Sequence, residues 1–213
     1  RTGEFAIICM LIYIVIQRQM LPRTDELSFE IPTPDTLVPF IDTWCKILIY
    51  NLLVWLMGFY AFFHLFLNIL SEVLHFGDRL FYMDFWNATS IDHFWRAWSI
   101  PGHRWMLRHV YGPLVKFGYS RSQASGCVFV ISAMMHEYTI GVSFHQFKFL
   151  AFGLIALQVP FAILTQSAKG TQVGNLVFWL NMIFGPHCFC TLLYSLEYLR
   201  NREASASASV VQP

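Results

Sequence analysis

Long apolar runs separated by polar loops dominate the pattern of this sequence. Five of these runs have at least the length of about 17 residues that a helix needs to cross a bilayer. They cover residues 5–21, 44–70, 126–144, 147–166 and 174–199. The pattern therefore predicts an all-α, multi-pass transmembrane helical protein.

The composition agrees with a membrane protein. Of the 213 residues, 56% are hydrophobic and 13% are charged, whereas about 25% of residues are charged in ordinary soluble domains. The five cysteines have neither C-x-x-C nor zinc-ligand spacing, so no metal site is predicted. The chain begins at Arg1 and enters an apolar run at once, and we expect it to be part of a longer protein. The serine-rich tail of residues 204–213 is expected to be disordered.

Charge is distributed unevenly between the loops. The proline-rich loop of residues 22–42 is acidic, whereas the linker of residues 71–125 carries six of the fourteen lysines and arginines. By the positive-inside rule, this basic linker faces the cytosol. The acidic loop, the loop after Phe144 and the C-terminal tail then lie on the opposite side of the membrane.

The basic linker is also rich in aromatic residues, which favour the boundary between hydrocarbon and headgroups. Two interfacial amphipathic helices are expected within it, at Ile91–Trp98 and Trp105–Val110, separated by Pro101-Gly102. Interleaved basic and aromatic residues also suit single-stranded nucleic acid. In so apolar a chain, however, membrane lipid or an anionic lipid-like ligand is favoured, and no nucleic-acid partner is predicted.

One apolar run contains an ionisable pair, in the stretch Ser132-Ala133-Met134-Met135-His136-Glu137-Tyr138. Polar groups inside a bilayer are costly and are usually kept for function, although a lone histidine is as often a contact between helices. Ser132 shares a helix face with His136, and Glu137 is rotated from His136 by about 100°. A buried neutral histidine suits a general base that takes the proton of a lipid hydroxyl.

Two alternatives for His136 fail on sequence grounds and a third stays open. A zinc-protease H-E-x-x-H motif would need histidine where Ile140 stands, and no G-x-S-x-G motif supplies a nucleophilic serine. A transporter or channel subunit with a proton relay through His136 and Glu137 remains possible, since such relays also place ionisable groups in membrane spans.

Two polar stretches of the linker, around Asp84–Asn87 and around His103–Arg108, can be explained either by structure alone or by substrate binding. Asp84 or Asn87 would cap a helix that begins near Ala88, which is the structural alternative for that stretch. His103, Arg104 and Arg108 would hold the phosphates of a nucleotide-bearing donor. Composition alone equally favours a basic interfacial helix against anionic lipid.

Two motifs together resemble the membrane-bound O-acyltransferase family. Phe81–Asn87 reads F-Y-x-D-x-W-N, and H-E-Y begins at His136, 49 residues after Asn87. This pair is similar to the branch that contains the diacylglycerol and sterol O-acyltransferases, and the similarity runs from about Ile14 to Arg202. Stretches such as Ile100–Trp105 read most like the diacylglycerol enzymes.

The resemblance implies a partial fold of this family over residues 1–203, forming the C-terminal part of the domain. It implies a multi-pass enzyme of the endoplasmic reticulum membrane that moves a fatty acyl group from acyl-CoA to a lipid hydroxyl. The expected acceptor is diacylglycerol, and a sterol is the alternative. No bound cofactor is expected, acyl-CoA is the co-substrate, and the full-length protein is expected to form a homo-oligomer.

The resemblance also assigns the site residues. His136 matches the catalytic histidine, and Ser99 stands where the family has a partner asparagine after its W-x-x-W pair. The predicted substrate-binding residues are Asp84, Trp86, Asn87, Trp95, Trp98, His103, Tyr111, Arg121, Ser132, Glu137 and Gln158.

Three positions depart from the family pattern. Phe85 replaces another aromatic residue of the first motif. Ser99 keeps a hydrogen-bond donor but has a shorter reach than asparagine. Gly185-Pro186-His187 stands where the diacylglycerol enzymes read G-Q-P, so a pocket glutamine is absent and His187 is a new polar group.

The predicted topology can be tested at Asn87, which begins the glycosylation sequon Asn87-Ala88-Thr89. Because the linker is predicted to be cytosolic, we expect Asn87 to carry no glycan in microsomes, as measured by mobility before and after endoglycosidase treatment. The variant Glu26→Asn, which creates a sequon in the acidic loop, is the control and should be glycosylated. A glycan on Asn87 would show that the linker faces the lumen and that the predicted orientation is wrong.

Overall fold

The computed structural model describes residues 1–25 and 33–185, together with residues 190, 193, 194, 197, 198 and 201. These residues form helices, turns and loops without a strand, which confirms the all-α prediction. The predicted disordered tail and the departure at Pro186-His187 lie outside the described residues.

The first membrane span consists of α1 (Thr2–Val15), a π-helical turn (Ile16–Met20) and α2 (Leu21–Asp25). Together they give a 23-residue apolar helix, Thr2–Thr24, that is long enough to cross a membrane. The first predicted span is therefore confirmed.

The second span consists of α3 (Leu37–Phe59), a π-helical segment (Tyr60–Phe66) and α4 (Leu67–Val73). Its 37 residues reach about 55 Å at a rise of about 1.5 Å each, against a hydrocarbon core of about 30 Å, so this helix must tilt or protrude. The left-handed residue His75 (φ 52°) ends the helix, and the N–H of Phe76 donates to the carbonyl of Ser71 (2.8 Å).

After a short 3-10 turn, the linker contains four helical elements: α5 (Ile91–Ala97), α6 (Ile100–Met106), a π-helical turn (Leu107–Tyr111) and α7 (Gly112–Lys116). The predicted break at Pro101-Gly102 is wrong. Pro101 lies in the first turn of α6, where a missing N–H costs nothing.

The predicted helix near Ala88 is also wrong in its start. Phe85–Asn87 forms a short 3-10 turn, and α5 begins only at Ile91. Its cap is Ser90, whose hydroxyl accepts a hydrogen bond from the N–H of His93 (3.2 Å). Neither Asp84 nor Asn87 therefore caps α5.

The third span is α8 (Arg121–Phe144), which confirms the third predicted segment. A capping box begins this helix: the Ser120 hydroxyl accepts from the N–H of Gln123, and the Gln123 side chain accepts from the N–H of Ser120. The left-handed residue His145 (φ 53°) ends it.

The fourth predicted span is shorter in the structure, and the fifth is described mainly over its first helix. α9 (Leu150–Ala156) and α10 (Gln158–Leu164) form one apolar run of only 15 residues, and α11 (Gln172–Phe184) has 13 residues. The run is interrupted at Leu157, since Pro160 has no N–H to donate to the preceding turn. Most of the fifth segment beyond α11 lies outside the described residues.

Helix α5 packs one face into the main hydrophobic core, a contact that the sequence did not predict. Its buried side chains meet those of α11, with α3 and α10 around them. The buried members of this core are Phe85, Ala88, Ile91, Phe94, Ala97, Phe178 and Met182. The linker after α5 is more exposed, and Phe117 keeps 82% of its surface accessible.

A close backbone contact joins α11 to the start of the linker. A Cβ atom at Gly174 would lie 2.3 Å from the carbonyl oxygen of Ala168 and 2.4 Å from that of Thr89. The N–H of Gly170 also donates to the Thr89 hydroxyl (3.0 Å). Only glycine therefore lets α11 approach this segment.

We expect Gly174→Ala to destabilise the protein by about 1–3 kcal/mol, because the added methyl group overpacks a backbone contact. The measurement is the midpoint of thermal unfolding in detergent, which should fall. Gly153→Ala is the matched control, since a Cβ there meets nothing within 4 Å. Equal midpoints for the two variants would contradict the contact.

Candidate active site

His136 lies half-buried on α8, one helical turn after Ser132. Its Nδ1 is 2.7 Å from the carbonyl oxygen of Ser132. Because a carbonyl oxygen only accepts hydrogen bonds, Nδ1 must be the donor. In the neutral ring the other nitrogen, Nε2, is then the basic one. Ser132 thus acts through its backbone carbonyl, and substrate binding by its side chain stays a prediction.

The indole of Trp95 packs against the imidazole of His136. Their ring centroids are 6.2 Å apart and the rings are nearly perpendicular, at 88°. Trp95 also contacts Trp98, whose ring stacks on Phe94 at 6.1 Å. The structure therefore brings two separately predicted groups together, the aromatic linker helix α5 and the histidine of α8.

Glu137 is directed away from this contact and is 3% exposed. Its Oε1 accepts hydrogen bonds from the N–H groups of Lys148 (3.1 Å) and Phe149 (2.7 Å) and from the hydroxyl of Tyr194 (2.5 Å). Its Oε2 accepts from the N–H of Phe152 (3.1 Å). These contacts give Glu137 a structural role, and its predicted role in substrate binding remains untested.

Ser99 is the N-cap of α6, and its Oγ accepts a hydrogen bond from the N–H of Gly102 (3.3 Å). The side chain therefore keeps its own O–H as a donor. The segment containing Ser99 runs beside the first motif, since Ile100 N–H donates to Phe81 (2.9 Å) and Met83 N–H donates to Ala97 (2.8 Å). The catalytic role of Ser99 stays a prediction.

The first motif is held in place through its backbone. The side-chain amide of Asn175 donates to the carbonyls of Trp86 (3.0 Å) and Ala88 (2.9 Å), and the indole N–H of Trp179 donates to that of Trp86 (3.2 Å). Neither donor is in the predicted set, yet both lie on α11. These hydrogen bonds attach the backbone of the motif to α11 and leave its side chains free of that task.

Three predicted residues of that motif have exposed side chains. Asn87 donates weakly to the carboxylate of Asp84, at 3.4 Å, and the Trp86 side chain is 44% exposed. Their contact with substrate stays a prediction. Tyr82, which was not predicted, has its hydroxyl 2.8 Å from Nδ1 of His64.

The linker cations divide into paired and unpaired groups. Arg104 lies 3.0 Å from Asp78, and the hydrogen bond from this guanidinium lowers the pKa of the Asp78 carboxyl. Burial lowers the pKa of His103, and the charge of Arg96 lowers it further. At neutral pH His103 is therefore uncharged, and neither it nor Arg104 offers a ready cation for phosphate.

Other cations of the linker are exposed. Arg108 lies in the π-helical turn after α6, Lys116 ends α7 and Arg121 begins α8. None of these three forms an ion pair with another described residue. Tyr111, in the same turn as Arg108, is half-buried where the turn packs against α8.

Gln158 lies apart from this surface, in the contact between α10 and α11. It is 4% exposed, and its side-chain amide exchanges two hydrogen bonds with that of Asn181, at 3.1 and 3.3 Å. Asn181 satisfies the buried polar group, so packing accounts for this position. Its predicted contact with substrate stays a prediction.

A comparison with known proteins decides the family. The sequence model of the membrane-bound O-acyltransferase family matches residues 7–195. The chain belongs to this family.

Curated relatives within the membrane-bound O-acyltransferase family are similar along most of the chain. Diacylglycerol O-acyltransferase 1 of Dictyostelium discoideum is 36% identical over 204 residues, which cover 95% of this chain and 33% of that protein. Diacylglycerol O-acyltransferase 1A of Glycine max is 42% identical over 81% of this chain and 35% of its own length. Diacylglycerol O-acyltransferase 1 of Arabidopsis thaliana is 42% identical over 83% of this chain and 34% of its own length. The chain thus spans about a third of the length of these relatives.

Sequence reasoning assigned no role to several residues that make these contacts: Asn175, Trp179, Asn181 and Tyr194. Asn181 carried a signal, because an amide in an apolar helix usually has a partner on another helix. Tyr194 carried none, since tyrosine is common in apolar segments. Within the described residues, no group of histidine, cysteine, aspartate and glutamate is arranged to hold a metal ion.

Proposed function

We propose that the protein containing this chain is an acyl-CoA-dependent O-acyltransferase that acts on a lipid hydroxyl, with diacylglycerol as the acceptor and triacylglycerol as the product. The observation that carries this proposal is the hydrogen bond from His136 Nδ1 to the Ser132 carbonyl. It leaves Nε2 as the basic nitrogen at the place where a membrane-embedded helix meets the cytosolic aromatic linker.

The geometry supports a simple reaction. His136 Nε2 takes the hydroxyl proton of the acceptor as its oxygen attacks the thioester carbon of acyl-CoA. The tetrahedral intermediate collapses, an ester bond forms, and the carbon–sulfur bond breaks. The imidazolium then returns its proton to the departing CoA thiolate. The free O–H of Ser99 is the proposed donor to the oxyanion.

The cytosolic side of this O-acyltransferase would receive the CoA portion. We assign its phosphates to Arg108, Lys116 and Arg121, because Arg104 is paired with Asp78 and His103 is uncharged. Trp95 and Trp98 would line the route from that surface to His136. No bound cofactor is proposed, and acyl-CoA acts as a co-substrate.

The choice of diacylglycerol rests on the names of the relatives, and a sterol is the alternative acceptor. An endoplasmic reticulum membrane and a homo-oligomeric assembly belong to the same proposal and rest on the family resemblance. A proton relay is less well supported, because the hydrogen bonds of Glu137 within the described residues go to Lys148, Phe149, Phe152 and Tyr194.

The test is an assay of microsomes that express the complete coding sequence, supplied with labelled acyl-CoA and either diacylglycerol or a sterol. Wild-type protein should make triacylglycerol. His136→Ala should reduce turnover by at least about 100-fold, the contribution of a general base, at unchanged expression.

Tyr138→Phe is the control for that variant, since Tyr138 is an exposed neighbour on the same helix. It should retain wild-type turnover. Normal turnover by His136→Ala would refute the role of the histidine. Steryl ester as the main product would show that the acceptor is a sterol and not diacylglycerol.

The cation assignment predicts a different kinetic effect. Alanine at Arg108, Lys116 or Arg121 should raise the KM for acyl-CoA by up to about tenfold, the worth of one charge-assisted hydrogen bond, with kcat little changed. Arg79→Ala and Arg96→Ala are matched controls, because those cations already pair with carboxylates. An equal rise in KM for the controls would show that only net charge matters.

A further inference from the structure

We propose that Glu137 and Tyr194 are positioning residues, which fix the rotation of α8 so that His136 faces Trp95. The catalytic part of this inference rests on the proposed acyl transfer. The geometric part rests on the junction between α8 and α9, where one carboxylate receives four hydrogen bonds.

The carboxylate replaces a missing helix cap. Phe149 is the N-cap residue of α9, and its side chain cannot accept a hydrogen bond. Glu137 accepts instead from the N–H of Phe149, of Lys148 before it and of Phe152 in the first turn. An ionised carboxylate offers acceptors only, so it suits a site made of donors.

Tyr194 holds the carboxylate of Glu137 in place through its hydroxyl. Its side chain is 1% exposed, and its hydroxyl donates to Glu137 Oε1 (2.5 Å) while it accepts from the N–H of Lys148 (3.2 Å). The ring also stacks on Phe144 at the end of α8, with centroids 5.9 Å apart. The hydroxyl and the carboxylate therefore bind the same backbone group and hold each other.

The turn between α8 and α9 leaves little freedom for the carboxylate to move. His145 and Phe149 both have left-handed backbones, with φ of 53° and 57°. A Cβ atom at Gly141 would lie 2.6 Å from the ring of Phe147, so the turn packs directly on the last turns of α8. The position of the amide donors is thus fixed relative to α8.

Fixing Glu137 fixes the direction of the neighbouring histidine. Successive residues on a helix point about 100° apart, so a carboxylate directed at α9 turns His136 to another side. On that side the imidazole meets the indole of Trp95. If the carboxylate lost its donors, α8 would be held less firmly in this rotation, and a small rotation would move the basic nitrogen.

The kinetic test uses the complete protein in microsomes or detergent and compares Glu137→Gln, Tyr194→Phe and the double variant. Glu137→Gln should lower kcat by at least about tenfold, since small displacements of a catalytic group have large effects on rate. The KM for acyl-CoA and the amount of folded protein should stay within about twofold of wild type. The effects of the two substitutions on kcat should be non-additive, because each disrupts the same hydrogen bond between Tyr194 and Glu137.

Glu197→Gln is the matched control at the same junction. Glu197 pairs with the Lys148 side chain at 2.6 Å, but this ion pair is partly exposed and does not involve Glu137. It should leave kcat unchanged. Activity that falls only in proportion to folded protein in Glu137→Gln would overturn the positioning role, and so would additive effects of Glu137→Gln and Tyr194→Phe.

A second readout needs no enzymatic activity. Trp95→Cys combined with His136→Cys should be joined by a short bis-thiol cross-linker, detected as a cross-linked peptide by mass spectrometry. Adding Glu137→Gln should lower that yield, and adding Glu197→Gln should not. An unchanged yield with Glu137→Gln refutes the inference, whereas an inactive wild-type protein with the expected cross-linking pattern refutes only the proposed function.

Discussion

Two adjacent polar side chains on one apolar helix, His136 and Glu137, must find their partners on different sides of that helix. Glu137 binds the amide groups that begin α9 and the hydroxyl of Tyr194, whereas His136 bonds to its own helix and packs on Trp95. Unpaired polar groups are costly among apolar helices, so this division is strongly constrained. It explains how one span can carry a structural anchor and a basic nitrogen in consecutive positions.

Periodicity and polarity along the chain were enough to predict part of this arrangement. The three long spans and the divergence of Glu137 from His136 follow from hydropathy and from the geometry of a single helix. The partners of Glu137 do not, because the donors lie 11 to 57 residues further along the chain. Such contacts depend on how helices pack, and no local pattern encodes them.

The linker shows a similar limit. Its motif was recognised by its side chains, yet α11 holds it by the backbone carbonyls of Trp86 and Ala88. The sequence likewise predicted Arg104 as a phosphate ligand, whereas Arg104 is paired with Asp78 from an earlier segment. Burial of α5 was missed for the same reason, since its aromatic face is covered by a helix more than 70 residues later.

In the proposed mechanism, an imidazole on a membrane helix reaches a thioester that enters from the cytosol. A cryo-electron microscopy map of the complete protein, bound to a non-hydrolysable thioether analogue of acyl-CoA, tests it most directly. We expect the thioether end to lie in an internal passage beside His136 Nε2, with Nδ1 still bonded to Ser132. A ring directed at the surrounding lipid, with no passage leading to it, would contradict this mechanism.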